Sequence, residues 1–254
     1  MGRNINLKSK ILILKSKIQM IPISDNIYTR RKPIVNYWLI GINMALFLWE
    51  LKLELNGELG SLVSNFGVIP AQISEATIQA LNGNLAAWIV VVMRSSSLLV
   101  SIFIHGSFSQ ILGNLLFLWV FGKTVENIFG ARRYLGFYLA SGILTGMIQI
   151  IAEPSLSVSL IGANGAIASV LGAYLVKFTK VKIDSVLPLL IVYIPVQIPA
   201  IFYLFWWFAQ QLFYGIGSLN IPTSINQPSF AYWVHGVGFL IGAAYMRILE
   251  RRYR

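Results

Sequence analysis

The stretch Gly162-Ala-Asn-Gly-Ala-Ile-Ala-Ser-Val-Leu-Gly172 decides how this chain folds. It opens an apolar run over about 163–178 and carries glycines at 162, 165 and 172. Inside a bilayer, helices associate by close packing, and small residues let their backbones approach. A second stretch, Trp233-Val-His-Gly-Val-Gly-Phe-Leu-Ile-Gly242, sets Gly238 and Gly242 four residues apart. The two stretches are therefore expected to pack on each other. That contact brings Asn164, the polar residue at the head of the first, near His235 in the second. Polar side chains at membrane depth are costly, so these two mark a place of interest.

The rest of the sequence supports a membrane setting. Of 254 residues, 56% are hydrophobic and 11% are charged, against about 25% charged in ordinary soluble domains. A spanning helix needs about 20 apolar residues. Six candidate spans follow: 34–53, 106–122, 134–152, 163–178, 186–214 and 230–249. The fifth is long and carries Pro188, Pro195 and Pro199. It is read as a short entry segment followed by a helix from about Ile198. The fold class expected is all-α, a polytopic bundle of six transmembrane helices.

Charge orients that bundle. With six spans, 18 of the 20 Lys and Arg residues fall on one side, leaving Lys52 and Arg94 on the other. The positive-inside rule then places both termini in the cytoplasm. The net charge of +11 is assigned to loops and lipid headgroups, not to nucleic acid. The organisation expected is a basic cytoplasmic segment over 1–33, a membrane domain over 34–249 and a basic tail over 250–254. Two readings stand for residues 1–19: a membrane-surface amphipathic helix, or a segment preceding a natural start at Met20. Residues 54–105 are expected to form an ordered outer element at the interface, with the apolar run Leu85–Met93 resting on the membrane.

No cysteine is present, which excludes disulfides and thiol chemistry. His105 and His235 are the two histidines, so no metal site and no cofactor are expected. The remaining polar group at span depth is Asn114, in His105-Gly-Ser-Phe-Ser-Gln-Ile-Leu-Gly-Asn114.

Taken together, these stretches resemble the rhomboid family of intramembrane serine proteases. The resemblance runs from about Met20 to Gly242. It also takes in Leu118-Trp-Val-Phe-Gly122, Val125-Glu126, Gly136-Phe-Tyr-Leu-Ala-Ser-Gly142, Ile198-Pro-Ala200 and Trp206-Trp-Phe208. The family pattern is H-x-x-x-x-H-x-x-x-N on span two, G-x-S-G on span four and H-x-x-G-x-x-x-G on span six. The resemblance implies a Ser–His dyad in which histidine takes the serine proton, with span-two side chains stabilising the oxyanion. Gly162, Gly165, Gly238, Gly242 and His105 then become structural positions. His235 becomes the general-base position, and Asn114 and Gln110 the oxyanion-stabilising ones.

Three departures matter. The nucleophile position is Asn164, the second span-two histidine is Gln110, and Ser96-Ser97 stands where the family has a Trp-Arg pair. An amide nitrogen has a delocalised lone pair and is no substitute for a serine hydroxyl. Ser169 lies five residues on, about 140° around the helix and roughly 7.5 Å along it, so it is expected to point away from His235. Ser157 and Ser159 reach the centre only by rearrangement. The expectation is a proteolytically inactive, rhomboid-like protein that binds transmembrane helices of client proteins. The alternatives are an active protease with a displaced nucleophile, or an accessory subunit of a larger membrane complex. The partners expected are membrane lipids and client helices, in the plasma membrane or an internal one. Oligomeric state is left open.

Overall fold

In a computed structural model the described residues are 20–189, 192–217 and 229–252. Residues 1–19 and 253–254, and with them the readings of the N-terminal segment and of Arg254, lie outside the described residues.

The helices follow the apolar runs. They are α1 (Ile34–Leu55), α2 (Leu59–Phe66), α3 (Pro70–Leu81), α4 (Ala87–Ser95), the single turn α5 (Ser97–Val100), α6 (Phe108–Phe129), α7 (Ala131–Ala152), α8 (Asn164–Lys177), α9 (Ala200–Gly217) and α10 (Ser229–Arg252). Among them α1, α6 and α7 are long and apolar enough to cross a membrane. With 14 residues, α8 is shorter, but Gly165–Tyr174 are buried without a break. A helix apolar on all sides belongs inside a bundle. Here α10, α7, α9 and α6 all pack around it.

The expected contact between the two glycine stretches is present and very close. An added Cβ on Gly238 would meet the Gly165 carbonyl. One on Gly172 would meet Phe239, and one on Gly242 would meet Ser169. The two backbones touch along the whole seam from Gly165 to Gly172.

Span two is not a uniform helix. Leu118–Gly122 forms a π-helical turn, a device that shifts the backbone hydrogen-bond ladder. The Leu118 carbonyl accepts from Asn36 Nδ2 at 2.9 Å, and Tyr134 donates its hydroxyl to Asn36 Oδ1 at 2.8 Å. Gly122 leaves room for this group: an added Cβ would sit 2.9 Å from Asn36 Cγ. One turn on, the Glu126 carboxylate accepts the N–H groups of Val35 (3.1 Å) and Asn36 (2.7 Å). It thereby caps two of the orphan donors at the N-terminus of α1.

The all-helical expectation needs one correction. Three strands, β1 (Ile21–Ser24), β2 (Lys182–Leu189) and β3 (Val192–Pro199), form an antiparallel sheet in the order β1-β2-β3. Ile21 pairs with Val186, and Ile183 with Ile198. The prolines read as helix kinks are instead strand residues. Pro22 and Pro195 sit on the two edge strands, where a missing N–H costs no ladder bond on the open side. Pro188 lies on β2 beyond the reach of β1. The helix expected from about Ile198 begins at Ala200, immediately after Pro199. Asp184 ties the sheet laterally, accepting from Asn26 Nδ2 (2.6 Å) and Gln197 Nε2 (2.8 Å).

Residues 54–105 do form an ordered helical element, α2 to α5 with a closing turn at Ser101–Phe103. On α4, Trp88, Ile89, Val90, Val92 and Met93 are exposed, the pattern of an element whose apolar side meets lipid.

Candidate functional site

Asn164 begins α8, one residue beyond the N-cap Ala163 and two beyond Gly162, whose φ of +102° suits glycine. The first turn of a helix leaves its N–H groups without partners inside the helix. This end of α8 therefore presents donors beside the Asn164 side chain. His235 lies on α10 one turn before Gly238, so the seam that fixes Gly238 against Gly165 also fixes the height of His235. The ring of Trp207 on α9 meets the imidazole edge-on, with centroids 5.4 Å apart and planes at 86°.

These residues share a cavity of about 530 Å³. Asn114 and Gln110 from α6, Asn164 from α8, His235 from α10, and Trp206 and Trp207 from α9 line it. Helices α6, α8 and α10 thus converge on one polar space. A larger cavity of about 900 Å³ lies beside α2 and the turn before α6, lined in part by Ser157, Ser159, Thr145 and Gln149. Asn164 and Gln110 face both cavities.

Gln110 is held firmly. Its Oε1 accepts the Gly106 N–H at 2.9 Å and its Nε2 donates to the Ile161 carbonyl at 3.1 Å. It laces the loop before α6 to the loop before α8. Gly162 makes room for that amide, since an added Cβ would sit 3.1 Å from Gln110 Cδ. One Nε2 hydrogen remains beyond the bond to Ile161.

His105 is almost fully enclosed, 1% exposed, in the loop ahead of α6. Its Nε2 faces Asn114 Nδ2 at 3.0 Å, and its Nδ1 faces the Phe103 carbonyl at 3.3 Å. A single tautomer satisfies both: Nδ1–H donates to Phe103, and Nε2 accepts from Asn114. Burial pushes the imidazole down to about 4, so it is neutral at pH 7. The His105 backbone N–H donates to Glu50 Oε2 at 3.1 Å, which ties this loop to the far end of α1. Asn114 therefore gives one of its two N–H bonds to His105 and keeps the other.

The serines sort by geometry. Ser169 Oγ bonds the carbonyls of Gly165 (2.9 Å) and Gly238 (2.8 Å) and is fully buried. It pins α8 to α10 and points away from the cavity. Ser157 and Ser159 line the larger cavity. Ser107 and Ser109, which the sequence reading passed over, line the same cavity as His235. Ser107 Oγ accepts the Gln110 N–H at 3.2 Å as the N-cap of α6. A serine three residues before Gln110, at the head of a span, was the available sequence signal for that cap.

The sequence also gave no hint of the N-terminal wall. Met20, Ile21 and Pro22 line the His235 cavity between α6 and α9. Tyr203 on α9 donates its hydroxyl to the Met20 carbonyl at 3.0 Å. Behind this wall the buried Asp25 carboxylate accepts from Thr124 Oγ1 and pairs with Lys123 at 3.3 Å.

Comparison with known proteins agrees with this geometry. Residues 80–252 match the rhomboid domain. The chain is similar to the presenilin-associated rhomboid-like protein, mitochondrial, of Mus musculus, 30% identical over 108 residues, 40% of this chain and 26% of that protein. The Homo sapiens protein of the same name is 30% identical over 92 residues, 34% of this chain and 23% of its own length. Rhomboid protease GluP of Bacillus subtilis (strain 168) is 38% identical over 78 residues, 31% of this chain and 15% of that protein. The matched segment thus spans about a quarter or less of these relatives. Domain match, glycine seam and shared polar cavity point the same way: this chain is a member of the rhomboid family.

Proposed function

We propose that this chain is a six-span membrane protein with both termini in the cytoplasm that lacks proteolytic activity and binds transmembrane helices of client proteins. The observation that carries the reading is Asn164 at the head of α8, in one cavity with His235. The side chain at the nucleophile position offers an amide, and Ser169, the nearest serine on α8, spends its hydroxyl on two carbonyls. Without a nucleophile, His235 has no proton to take. The cavity still offers hydrogen-bond donors from Asn114, Asn164 and the first turn of α8. Such donors suit the backbone carbonyls of a helix that loosens as it enters the cavity. The charge segregation supports the six-span orientation.

The test is cleavage of a generic rhomboid substrate by the purified chain, beside Asn164→Ser. No cleavage by the chain, together with retained capture of the substrate helix, is expected. Robust cleavage by the unmodified chain overturns the reading.

A second reading is favoured by Ser107 and Ser109 lining the His235 cavity: an active protease with a displaced nucleophile. It requires a fluorophosphonate adduct on one of these serines, and an unlabelled chain beside a labelled working rhomboid rejects it. The relatives named for an association suggest a third reading, a permanent subunit of a larger complex. A free monomer on native electrophoresis in mild detergent excludes it.

A further inference from the structure

The His235 cavity, about 530 Å³, is small for a client helix. A helix is about 10 Å across, so the space holds about one turn of it. Admission of a client therefore needs a wall that moves. Most of the walls are fixed. Glycines press α8 onto α10, and Gln110 ties the start of α6 to the loop before α8. The remaining wall is Met20, Ile21 and Pro22, between α6 and α9. Beside it those two helices meet through rings, Phe117 on Trp207 at 5.6 Å and Phe121 on Tyr203 at 6.2 Å between centroids. Ring contacts part without uncovering backbone polar groups, so they permit a gap to open there.

This wall is held unequally at its two ends. Behind it the fully buried Asp25 carboxylate pairs with Lys123 at 3.3 Å and accepts from Thr124 Oγ1. Pulling one partner out of a buried charge pair is costly. Asn26 adds a second tie, donating to Asp184 Oδ2 at 2.6 Å. The other end rests on one neutral bond, from the Tyr203 hydroxyl to the Met20 carbonyl at 3.0 Å. Between the two ends β1 is four residues long and pairs with β2 on one side. Its register slips between Pro22 and Ser24, and Pro22 has no N–H to give. Ile21 and Ile23 are exposed, while Pro22 is buried. We infer that β1 is a hinged strap over the His235 cavity. It peels from Met20 to Pro22 about the fixed Asp25. Closed, it keeps a client helix out; open, it admits one between α6 and α9. The identity of what enters rests on the client-binding reading, and the motion of the strap does not.

The chain has no cysteine of its own, so an introduced thiol is the sole target of a thiol reagent. The first experiment follows maleimide labelling of Pro22→Cys in the full chain, purified in neutral detergent. Adding Tyr203→Phe removes the bond to Met20 and is expected to speed labelling roughly fivefold, the factor for one net hydrogen bond. Tyr245→Phe, a ring packed on Phe129 and Phe137 away from the strap, is expected to leave the rate unchanged. No acceleration by Tyr203→Phe, or equal acceleration by Tyr245→Phe, overturns the strap. The second experiment locks β1 with Ile21→Cys/Val186→Cys. These residues are cross-strand partners, and such Cα atoms lie about 4.5–5.5 Å apart, within disulfide reach. Failure of the pair to form the bond overturns the placement of β1. The oxidised chain is expected to lose capture of a generic rhomboid substrate helix, and reduction to restore it. Equal capture in both states overturns the strap as a barrier. Capture in neither state, with labelling as expected, rejects the client reading and leaves the strap standing on its labelling rates.

Discussion

Replacing Gly242 by alanine sets two effects against each other. Alanine is the better helix former, by about 1 kcal/mol in a helix interior. The structure opposes that gain. The new Cβ would lie 2.5 Å from the Ser169 carbonyl carbon and 2.8 Å from its Cα, where ordinary contact begins near 3.4 Å. The nearest obstacle is the Ser169 carbonyl oxygen, backbone and not a side chain that swings aside, so α8 and α10 must separate locally by at least about 0.9 Å. Ser169 Oγ then loses the Gly238 carbonyl, now 2.8 Å away, because a bond stretched to about 3.7 Å is no longer one. Overpacking of a tight interior costs about 1–3 kcal/mol, and the lost interhelical bond adds roughly 0.6–1.7 kcal/mol. Steric strain wins, leaving a net destabilisation of about 1–4 kcal/mol. Titration of the folded protein with sodium dodecyl sulfate in mixed micelles reads this directly. Gly136→Ala is the matched control, since nothing stands within 4 Å of a Cβ there, and it is expected to be neutral or slightly stabilising. A Gly242→Ala protein as stable as Gly136→Ala would refute the backbone-to-backbone seam.

Three further outcomes follow from geometry described above. Glu126→Ala removes the cap on two N–H groups of α1 and is expected to lower stability by about 1–2 kcal/mol, while Glu126→Gln, which still accepts one bond, loses less; thermal unfolding ranks them. His105 is held down at about 4 against about 6.5 for a free imidazole. The unfolded chain therefore binds the extra proton first, and stability falls on acidification through that window by up to about 1.4 kcal/mol per pH unit. His105→Gln is expected to flatten the profile between pH 6.5 and 4, and an unchanged slope would remove His105 as its source. Ser169→Ala is expected to cost about 0.5–2 kcal/mol in the same micelle titration and to leave fluorophosphonate labelling unaltered, because its hydroxyl is fixed to two carbonyls.

The parts legible in the sequence were those encoded by local period and by residue size. The seam between α8 and α10 is written in Gly165, Gly172, Gly238 and Gly242, because only small residues permit that approach. The polar centre was legible because Asn114, Asn164 and His235 are conspicuous in apolar surroundings. The β2–β3 hairpin was not. Apolar residues run through it with little alternation, so it reads as a span, and its prolines read as kinks. What makes it a sheet is a partner strand distant in sequence, β1, and just beyond its end Asn26 meets Asp184 across 158 residues. The role of Gln110 was likewise hidden. Position suggested an oxyanion donor, but the length of its amide lets it reach Ile161 and Gly106 at once.

The sheet has a consequence in time. Pro22 pairs with Ser185, so β1 leaves the ribosome well before its partner and waits for a strand that follows α1, α6, α7 and α8. At about 5–20 residues per second, that interval is roughly 8–30 s. Through it, an apolar strand with two open edges stands unpaired beside the membrane, and nascent copies on one messenger carry the same strand. Closure of β1 onto β2 is thus a late event in biogenesis, and it is the step that completes the wall of the polar cavity at Met20–Pro22. The site is finished only once His235, the last of its lining residues in sequence, has been made.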